Sequence, residues 1–331
     1  MKLDLLKIKL LSSDIMSGDR RALAQCITLI ESDNTNHKKF ARYLLKKIMP
    51  KTGKSFRIGV SGPPGVGKST FIETFGLHLV SLKNTLAVLT VDPSSRNSGG
   101  SILGDKTRME QLSSNSDAFI RPSPSKNKLG GVSRHTREVL LLCEAAGFEN
   151  IIVETVGVGQ SETSVESMVD MFILLIAPGG GDQLQGIKRG IVELADLIIV
   201  NKADGDLYNS AKLMESDYKA AIRLISSNRE SWKPKVVTCS ALEGSGIKDI
   251  SKIVNNYKNQ LKTNNKLDIL RKRQANEWLW EEIKEGLLDS IVKNAEVLGL
   301  VKTFEEKIKQ GTELPGMAAE QILAKFFKDR E

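Results

Sequence analysis

Cysteine is scarce: Cys26, Cys143 and Cys239 are the only three in 331 residues, and they stand far apart. An odd, dispersed set excludes a disulfide framework and a zinc ribbon, and points to reduced thiols. The three histidines, His37, His78 and His135, are equally scattered, and none lies three or four positions from another histidine or a cysteine. Metal storage or delivery is therefore disfavoured. Aromatics make up only 5% of the chain and do not alternate with basic residues, so the stacking platform of a nucleic-acid binder is missing despite a net charge of +8. The lysines run along helical stretches, often interleaved with acids, which fits solvated helix faces and anionic ligands, with no nucleic-acid partner. No window approaches the ~18 consecutive apolar residues of a transmembrane helix. The start, MKLDLLKIKLLSSD, lacks both the apolar core and the cleavage site of a secretory signal, and the arginine richness of an organelle-targeting one. The expected location is the cytoplasm, with no membrane partner.

What is present is a regular alternation. Residues 1–53 read as a helical extension, with Leu23, Ile27 and Ile30 spaced for one buried face and a break at Pro50 to Gly53. Across 54–258, strand-length apolar runs alternate with helix-length stretches: Phe56–Val60, Leu86–Val91, Ala118–Arg121, Ile151–Val153, Met171–Ile176, Leu197–Val200 and Val236–Cys239. The pattern predicts an α/β fold, a mostly parallel sheet with helices on both faces. Ligands of such sheets bind at the carboxyl ends of the strands, so the loops after these runs should carry the chemistry. Residues 259–331 return to helical periodicity, a C-terminal arm broken at Gly311 and Pro315-Gly316. Its Trp278 and Trp280 need burial, as a local core anchor or at an interface with another chain.

The first run leads into Gly62-Pro63-Pro64-Gly65-Val66-Gly67-Lys68-Ser69-Thr70, which fits G-x-x-x-x-G-K-[ST] between a strand and a helix. Glycines let the backbone wrap with its N–H groups facing phosphates, and the helix starting near Lys68 adds its positive end. Lys68 is placed to reach the β- and γ-phosphates, and the Ser69 hydroxyl to bind magnesium. A P-loop NTPase follows.

The base is named by Asn201-Lys202-Ala203-Asp204, after the sixth run. A buried aspartate edge-on to guanine accepts from N1–H and the exocyclic amine, whereas adenine presents an acceptor at N1 and leaves the carboxylate unpaired. Lys202 would pack its stem over the base plane, and Asn201 would tie the loop to phosphate-side elements. Ser240-Ala241-Leu242, after the seventh run, stands where a GTPase closes over the base with a backbone N–H to guanine O6.

Between phosphate and base lie loops suited to sensing nucleotide state. Asp92, before Pro93, and Asp105, in Gly104-Asp105-Lys106-Thr107-Arg108, are candidates for magnesium, directly or through water, and either can be an ordinary cap. Glu154-Thr155-Val156-Gly157 takes the place of a D-x-x-G switch with glutamate for aspartate. The Gly157 N–H would sense the γ-phosphate, while Glu154 would hold a magnesium-bound water or polarise the attacking one. Val158 replaces the water-orienting glutamine of Ras-type enzymes, so slow intrinsic hydrolysis stimulated by a partner is expected, with Gln160 a minor substitute. The glycine-rich stretch from Gly179 to Arg189 offers Asp182, Gln185 and Lys188 for state-dependent contacts, and can equally be a surface loop.

Together GPPGVGKST, VDPSS, ETVGVGQSE, APGGGDQLQGIKRGI, NKAD and CSALEG resemble the MeaB family of P-loop GTPases, also known as ArgK or LAO/AO transport ATPases. The C-terminal RKRQANEWLWEEI is similar to that family's helical arm. The resemblance implies a homodimeric GTPase that chaperones an adenosylcobalamin-dependent acyl-CoA mutase, usually methylmalonyl-CoA mutase, gating cofactor loading. It implies GTP/GDP and Mg2+ as cofactors, with no cobalamin bound directly by this chain. Carried over by residue, it places phosphate on Gly62 to Thr70 and magnesium on Ser69 with Asp92, Asp105 and Glu154 near it. Base recognition falls on Asn201, Lys202, Asp204 and Ala241, and a further switch on Gly179 to Lys188, with Arg108 in the first switch segment. Two rival readings stand beside it, a metallochaperone GTPase and an ATP-dependent kinase or ATPase of a periplasmic amino-acid transport system.

Overall fold

The computed structural model describes residues 5–92, 109–124, 131–155, 161–179, 189–225 and 232–328. Seven strands, β1 (Phe56–Ser61), β2 (Leu86–Asp92), β3 (Ala118–Pro124), β4 (Asn150–Thr155), β5 (Met171–Ile176), β6 (Leu197–Val200) and β7 (Lys235–Thr238), form one sheet in the order β3-β2-β4-β1-β5-β6-β7. Every neighbouring pair is parallel. Each apolar run of the sequence is thus a strand, and the expected sheet is present.

The helices are α1 (Leu5–Met16), α2 (Arg20–Ile30), α3 (Thr35–Ile48), α4 (Lys68–Ser81), α5 (Glu110–Ser113), α6 (Gly131–Ala145), α7 (Ser161–Glu166), α8 (Arg189–Leu194), α9 (Tyr208–Ile225), α10 (Ile247–Lys262), α11 (Lys266–Lys293), α12 (Ala295–Lys309) and α13 (Pro315–Lys328). The central strands β4, β5 and β6 are buried at every position, because helices cover both faces of a parallel sheet. Strand alternation divides their side chains between two cores. Ile151, Val153, Phe172, Leu174 and Ile198 join Leu23, Ile27, Leu44 and Val139 on one face. Ile152, Ile173, Leu175, Leu197 and Ile199 join Phe71, Phe75, Ile250 and Val254 on the other. The N-terminal helices are therefore part of the first core. Asp19 caps α2 by accepting from Ala22 N at 2.7 Å, and Asn34 caps α3 by accepting from Asn36 N at 2.9 Å. Near the edge strand, Arg20 donates to the carbonyl of Ala118 at 2.6 Å and Arg121 pairs with Glu31 at 2.5 Å.

At the end of the sheet away from the phosphate loop, two buried ion pairs share one glycine. Arg271 binds the fully buried Asp170 through Nε at 2.9 Å and Nη2 at 2.7 Å, and also donates to the carbonyls of Gly53 and Ser55 at 2.6 Å each. Gly53 donates its N–H to Glu144 Oε2 at 2.7 Å, and Glu144 Oε1 accepts from Arg57 Nε at 2.8 Å. No helix or strand pattern announces Arg271, which reaches residues more than two hundred positions earlier in the chain. Removing one partner leaves a buried charge uncompensated, so Arg271→Ala should destabilise the fold by about 3–5 kcal/mol in urea unfolding. A loss under about 1 kcal/mol, the value of a surface pair, would contradict this assignment.

The chain divides into two compact units, Met1–Lys272 and Arg273–Glu331. In the second, Val297 and Phe304 of α12 and Ala318 and Phe326 of α13 are buried, and Lys325 pairs with Glu296 at 3.1 Å. Trp278 donates Nε1–H to Glu282 at 3.2 Å, while Trp280 is 62% exposed beside exposed Leu279, Ile283 and Leu287. Among the described residues, no helix is long and apolar enough to cross a membrane.

All three cysteines are free and buried. Burial, with Asp14 adding, pushes the Cys26 thiol up from 9.0 to about 12; burial, with Asp204 adding, does the same to Cys239, and burial drives Cys143 up as well. Each folded pKa lies above its unfolded value, so the stability these neutral thiols contribute is fully present below about pH 9 and is lost as pH rises through the folded values. No thiol should react with an aromatic disulfide reagent at pH 8 in the native protein, and all three should react on unfolding. Rapid labelling of any one in the native state would contradict the burial.

Candidate functional site

The site begins where β1 ends. Gly62 has φ of +156°, and a Cβ there would lie 2.2 Å from the carbonyl oxygen of Leu175, so only glycine lets the chain turn beneath β5. Gly67, at φ +86°, stands at the N-cap of α4 with no side chain capping the helix. An anion is the partner that the positive end of such a helix favours. Lys68 folds back over the loop, donating from Nζ to the carbonyls of Gly62 at 2.8 Å and Pro63 at 3.1 Å. Val66 is buried, while Pro64 and Gly65 are exposed.

Facing the loop is the end of β4. Val60 of β1 is registered with Glu154, which places Glu154 beside the phosphate loop. Glu154 is only 6% exposed, and its Oε1 accepts from Ser69 Oγ at 3.4 Å. A hydroxyl and a carboxylate side by side form a hard oxygen pair that suits Mg2+, an ion usually held by one or two carboxylates together with substrate phosphates and water. Among the described residues no group of three or more His, Cys, Asp or Glu could hold a metal ion by itself.

The base-side loop is bound to the phosphate loop by one side chain. Asn201 is 2% exposed; its Nδ2 donates to the Val66 carbonyl at 2.8 Å, and its Oδ1 accepts from Ala241 N at 3.0 Å and Cys239 Sγ at 3.4 Å. Lys202 has φ of +60°, a conformation costly for lysine, held by hydrogen bonds on either side from Asn201 N to Ile176 O and Ala203 N to Cys239 O. Asp204 accepts from the buried hydroxyl of Ser240, which in turn accepts from Glu243 N at 3.1 Å. The carboxylate is thereby fixed in direction. Thr74 of α4 donates to the Ala241 carbonyl at 2.8 Å, and Leu242 is 82% exposed. The Ala241 N–H, which the sequence directs toward a base, is given to Asn201 here.

Ser69, Glu154, Asn201, Lys202, Asp204, Ser240 and Ala241 therefore gather around one end of the sheet with the phosphate loop. Asp92 ends β2 in backbone terms, and its side chain lies outside the described residues, as do Asp105, Arg108, Gly157, Asp182, Gln185 and Lys188. Sequence reasoning missed Thr74, Cys239 and the Val66 carbonyl as parts of the base loop's support. Only the adjacency of Cys239 to Ser240-Ala241 could have drawn attention to one of them.

A parallel sheet in this order with a glycine loop leading into α4 defines the protein as a P-loop nucleoside-triphosphate binder. Residues 23–296 match the family model described as methylmalonyl Co-A mutase-associated GTPase MeaB. A Mycobacterium tuberculosis protein named Probable GTPase Rv1496 is 46% identical over 313 residues, covering 95% of this chain and 93% of that one. The mouse (Mus musculus) protein named methylmalonic aciduria type A homolog, mitochondrial, is 44% identical over 330 residues, covering 97% of this chain and 79% of its own length. The crystal structure of an LAO/AO transport system kinase superposes with a TM-score of 0.80 at 36% identity, covering 99% of this chain and all of that one. The chain belongs to the MeaB family of GTPases.

Proposed function

We propose that this GTPase is a nucleotide-gated chaperone of an adenosylcobalamin-dependent acyl-CoA mutase, with methylmalonyl-CoA mutase the partner its family description supports. The observation that carries the nucleotide half is Asn201, which joins the phosphate loop to the loop bearing Asp204, so that one ligand can span both. In this reading the amides of Gly62 to Thr70 hold the phosphates and Lys68 exchanges its loop carbonyls for phosphate oxygens. Asp204, aimed by Ser240, reads the guanine edge; Lys202 and Leu242 flank the base plane, and Ala241 closes the loop. Ser69 would hold Mg2+ with Glu154 beside it, and Asp92 and Asp105 are further candidates. The ion would supply charge neutralisation between the phosphates. Gly157 and the 179–188 stretch, with Arg108, Asp182, Gln185 and Lys188, would carry the γ-phosphate signal to the partner.

A gate of this kind needs differential affinity. Reversing a hundredfold bias between two states takes about 5.5 kcal/mol, and the γ-phosphate contacts of Lys68 and Gly157 are where GTP and GDP would differ. The protein would work as a homodimer in the cytoplasm, with the exposed apolar stripe Leu279, Ile283 and Leu287 available for self-association. Titrating the mutase with this protein by calorimetry in GDP and in a non-hydrolysable GTP analogue tests the gate. Affinities differing tenfold or more support it, and equal affinities, or no complex in either state, would refute it.

A further inference from the structure

One buried polar contact lies at the root of both the phosphate loop and the loop that begins after β4, and the nucleotide-binding roles above leave it unused. Ser61 is the last residue of β1 and Thr155 the last of β4. Both are fully buried, and Thr155 Oγ1 donates to Ser61 Oγ at 2.8 Å. The layer next to them on this face is apolar: a Cβ on Gly59, two positions earlier on the same face, would meet Val165, Val169 and Phe172 at 3.0–3.1 Å. A valine or alanine at either position would suit such a layer, and a hydroxyl buried there without a partner costs free energy. The pair therefore serves better as a constraint than as packing.

What it constrains follows from the register. Val60 pairs with Glu154, one residue before Ser61 and Thr155 respectively. Beyond Ser61 the chain enters Gly62, which is pinned against the Leu175 carbonyl; before Thr155 stands Glu154, whose carboxylate meets Ser69 at 3.4 Å on the opposite face. The hydroxyl bridge thus fastens the two strand ends from one face while Ser69 and Glu154 approach each other on the other. Without it, β1 and β4 are held at their ends by backbone pairing alone, and the Ser69–Glu154 spacing loses its second support.

We propose that Ser61 and Thr155 are positioning residues that set the Glu154 carboxylate against Ser69, and through it the magnesium dependence of GTP turnover. The inference rests on the reading of Ser69 and Glu154 as the magnesium side of the nucleotide site. The test uses Thr155→Val, which keeps the shape and strands the Ser61 hydroxyl, and the double variant Ser61→Ala/Thr155→Val, which removes both hydroxyls and restores an apolar layer. GDP affinity, kcat, the magnesium concentration for half-maximal rate and Tm are measured for each in the full chain. In Thr155→Val, kcat should fall about fivefold, the scale of one lost hydrogen bond. The half-maximal magnesium concentration should rise about threefold, with GDP affinity changed less than about twofold, on the same scale. The double variant should recover most of the lost Tm without recovering kcat or the magnesium response. If the rate and magnesium response return together with Tm, or never change, the pair is structural only and the proposal is overturned. If wild-type turnover itself does not depend on magnesium, the underlying site reading fails, which the wild-type arm shows independently of either variant.

Discussion

Asp204→Asn should lose GTP affinity by about three orders of magnitude or more and gain xanthosine triphosphate as a ligand. A site built to pair a hydrogen-bonding group commonly rejects the analogue lacking it by about 10^4–10^5, and the asparagine amide can accept only one of guanine's two donors. Its own N–H then faces the donor it should have bound. Xanthine carries an oxygen where guanine carries the amine, so the amide regains a partner with that base. The size of the effect depends on the carboxylate being held still. Ser240 donates to Asp204 and is itself fixed by Glu243 N, so the side chain cannot swing away to solvent to relieve the mismatch. The measurement is displacement of a fluorescent guanine nucleotide by GTP, XTP and ATP. Wild-type protein binding ATP as tightly as GTP, or a variant whose preference does not move toward xanthine, would return the base assignment to the ATP-dependent kinase reading.

Lys68→Ala should lower GTP turnover by about 10^2–10^3, the usual cost of removing one charged donor aimed at the reacting group. Lys68 makes two hydrogen bonds to the carbonyls of Gly62 and Pro63, which hold the ammonium over the mouth of the loop. Little ordering is then left to do when phosphate arrives. GDP binding should weaken far less than turnover, because the loop amides and the α4 terminus still face the diphosphate. Single-turnover hydrolysis in saturating magnesium, set beside GDP affinity for the same variant, separates the two. Equal losses in both would mean that Lys68 acts only in ground-state binding.

Much of this site is local in the chain, and that is why it was legible. The glycine loop, Asn201 to Asp204 and Ser240-Ala241 are short motifs following strand-length runs, and all seven runs became strands of one parallel sheet. The alternation that sends Ile152 to one core and Ile151 with Val153 to the other is likewise a property of neighbours in sequence. What could not be read is what depends on distant residues meeting. Asn201 was expected to tie loops together, but its acceptor, the Val66 carbonyl, has no sequence signature. Cys239 reads as a spare thiol until its Sγ is seen beside Asn201 Oδ1, and Thr74 as an ordinary helix residue until it reaches Ala241. Arg271 and Asp170 lie 101 positions apart, and only the folded chain makes them a pair. Strand ends shifted by one to three residues for a similar reason. β4 extends through Glu154 and Thr155 because β1 and β2 continue beside it, which turned two residues of an expected loop into part of the sheet.

The most direct measurement is GTP turnover with and without the mutase, followed while transfer of adenosylcobalamin to the mutase is monitored by its absorption spectrum. A GTP-gated chaperone predicts slow hydrolysis alone, at least tenfold stimulation by the mutase as expected where a partner completes the catalytic set, and cofactor transfer that stalls when GTP cannot be hydrolysed. Turnover unchanged by the mutase, with cofactor loading indifferent to the nucleotide present, would contradict it.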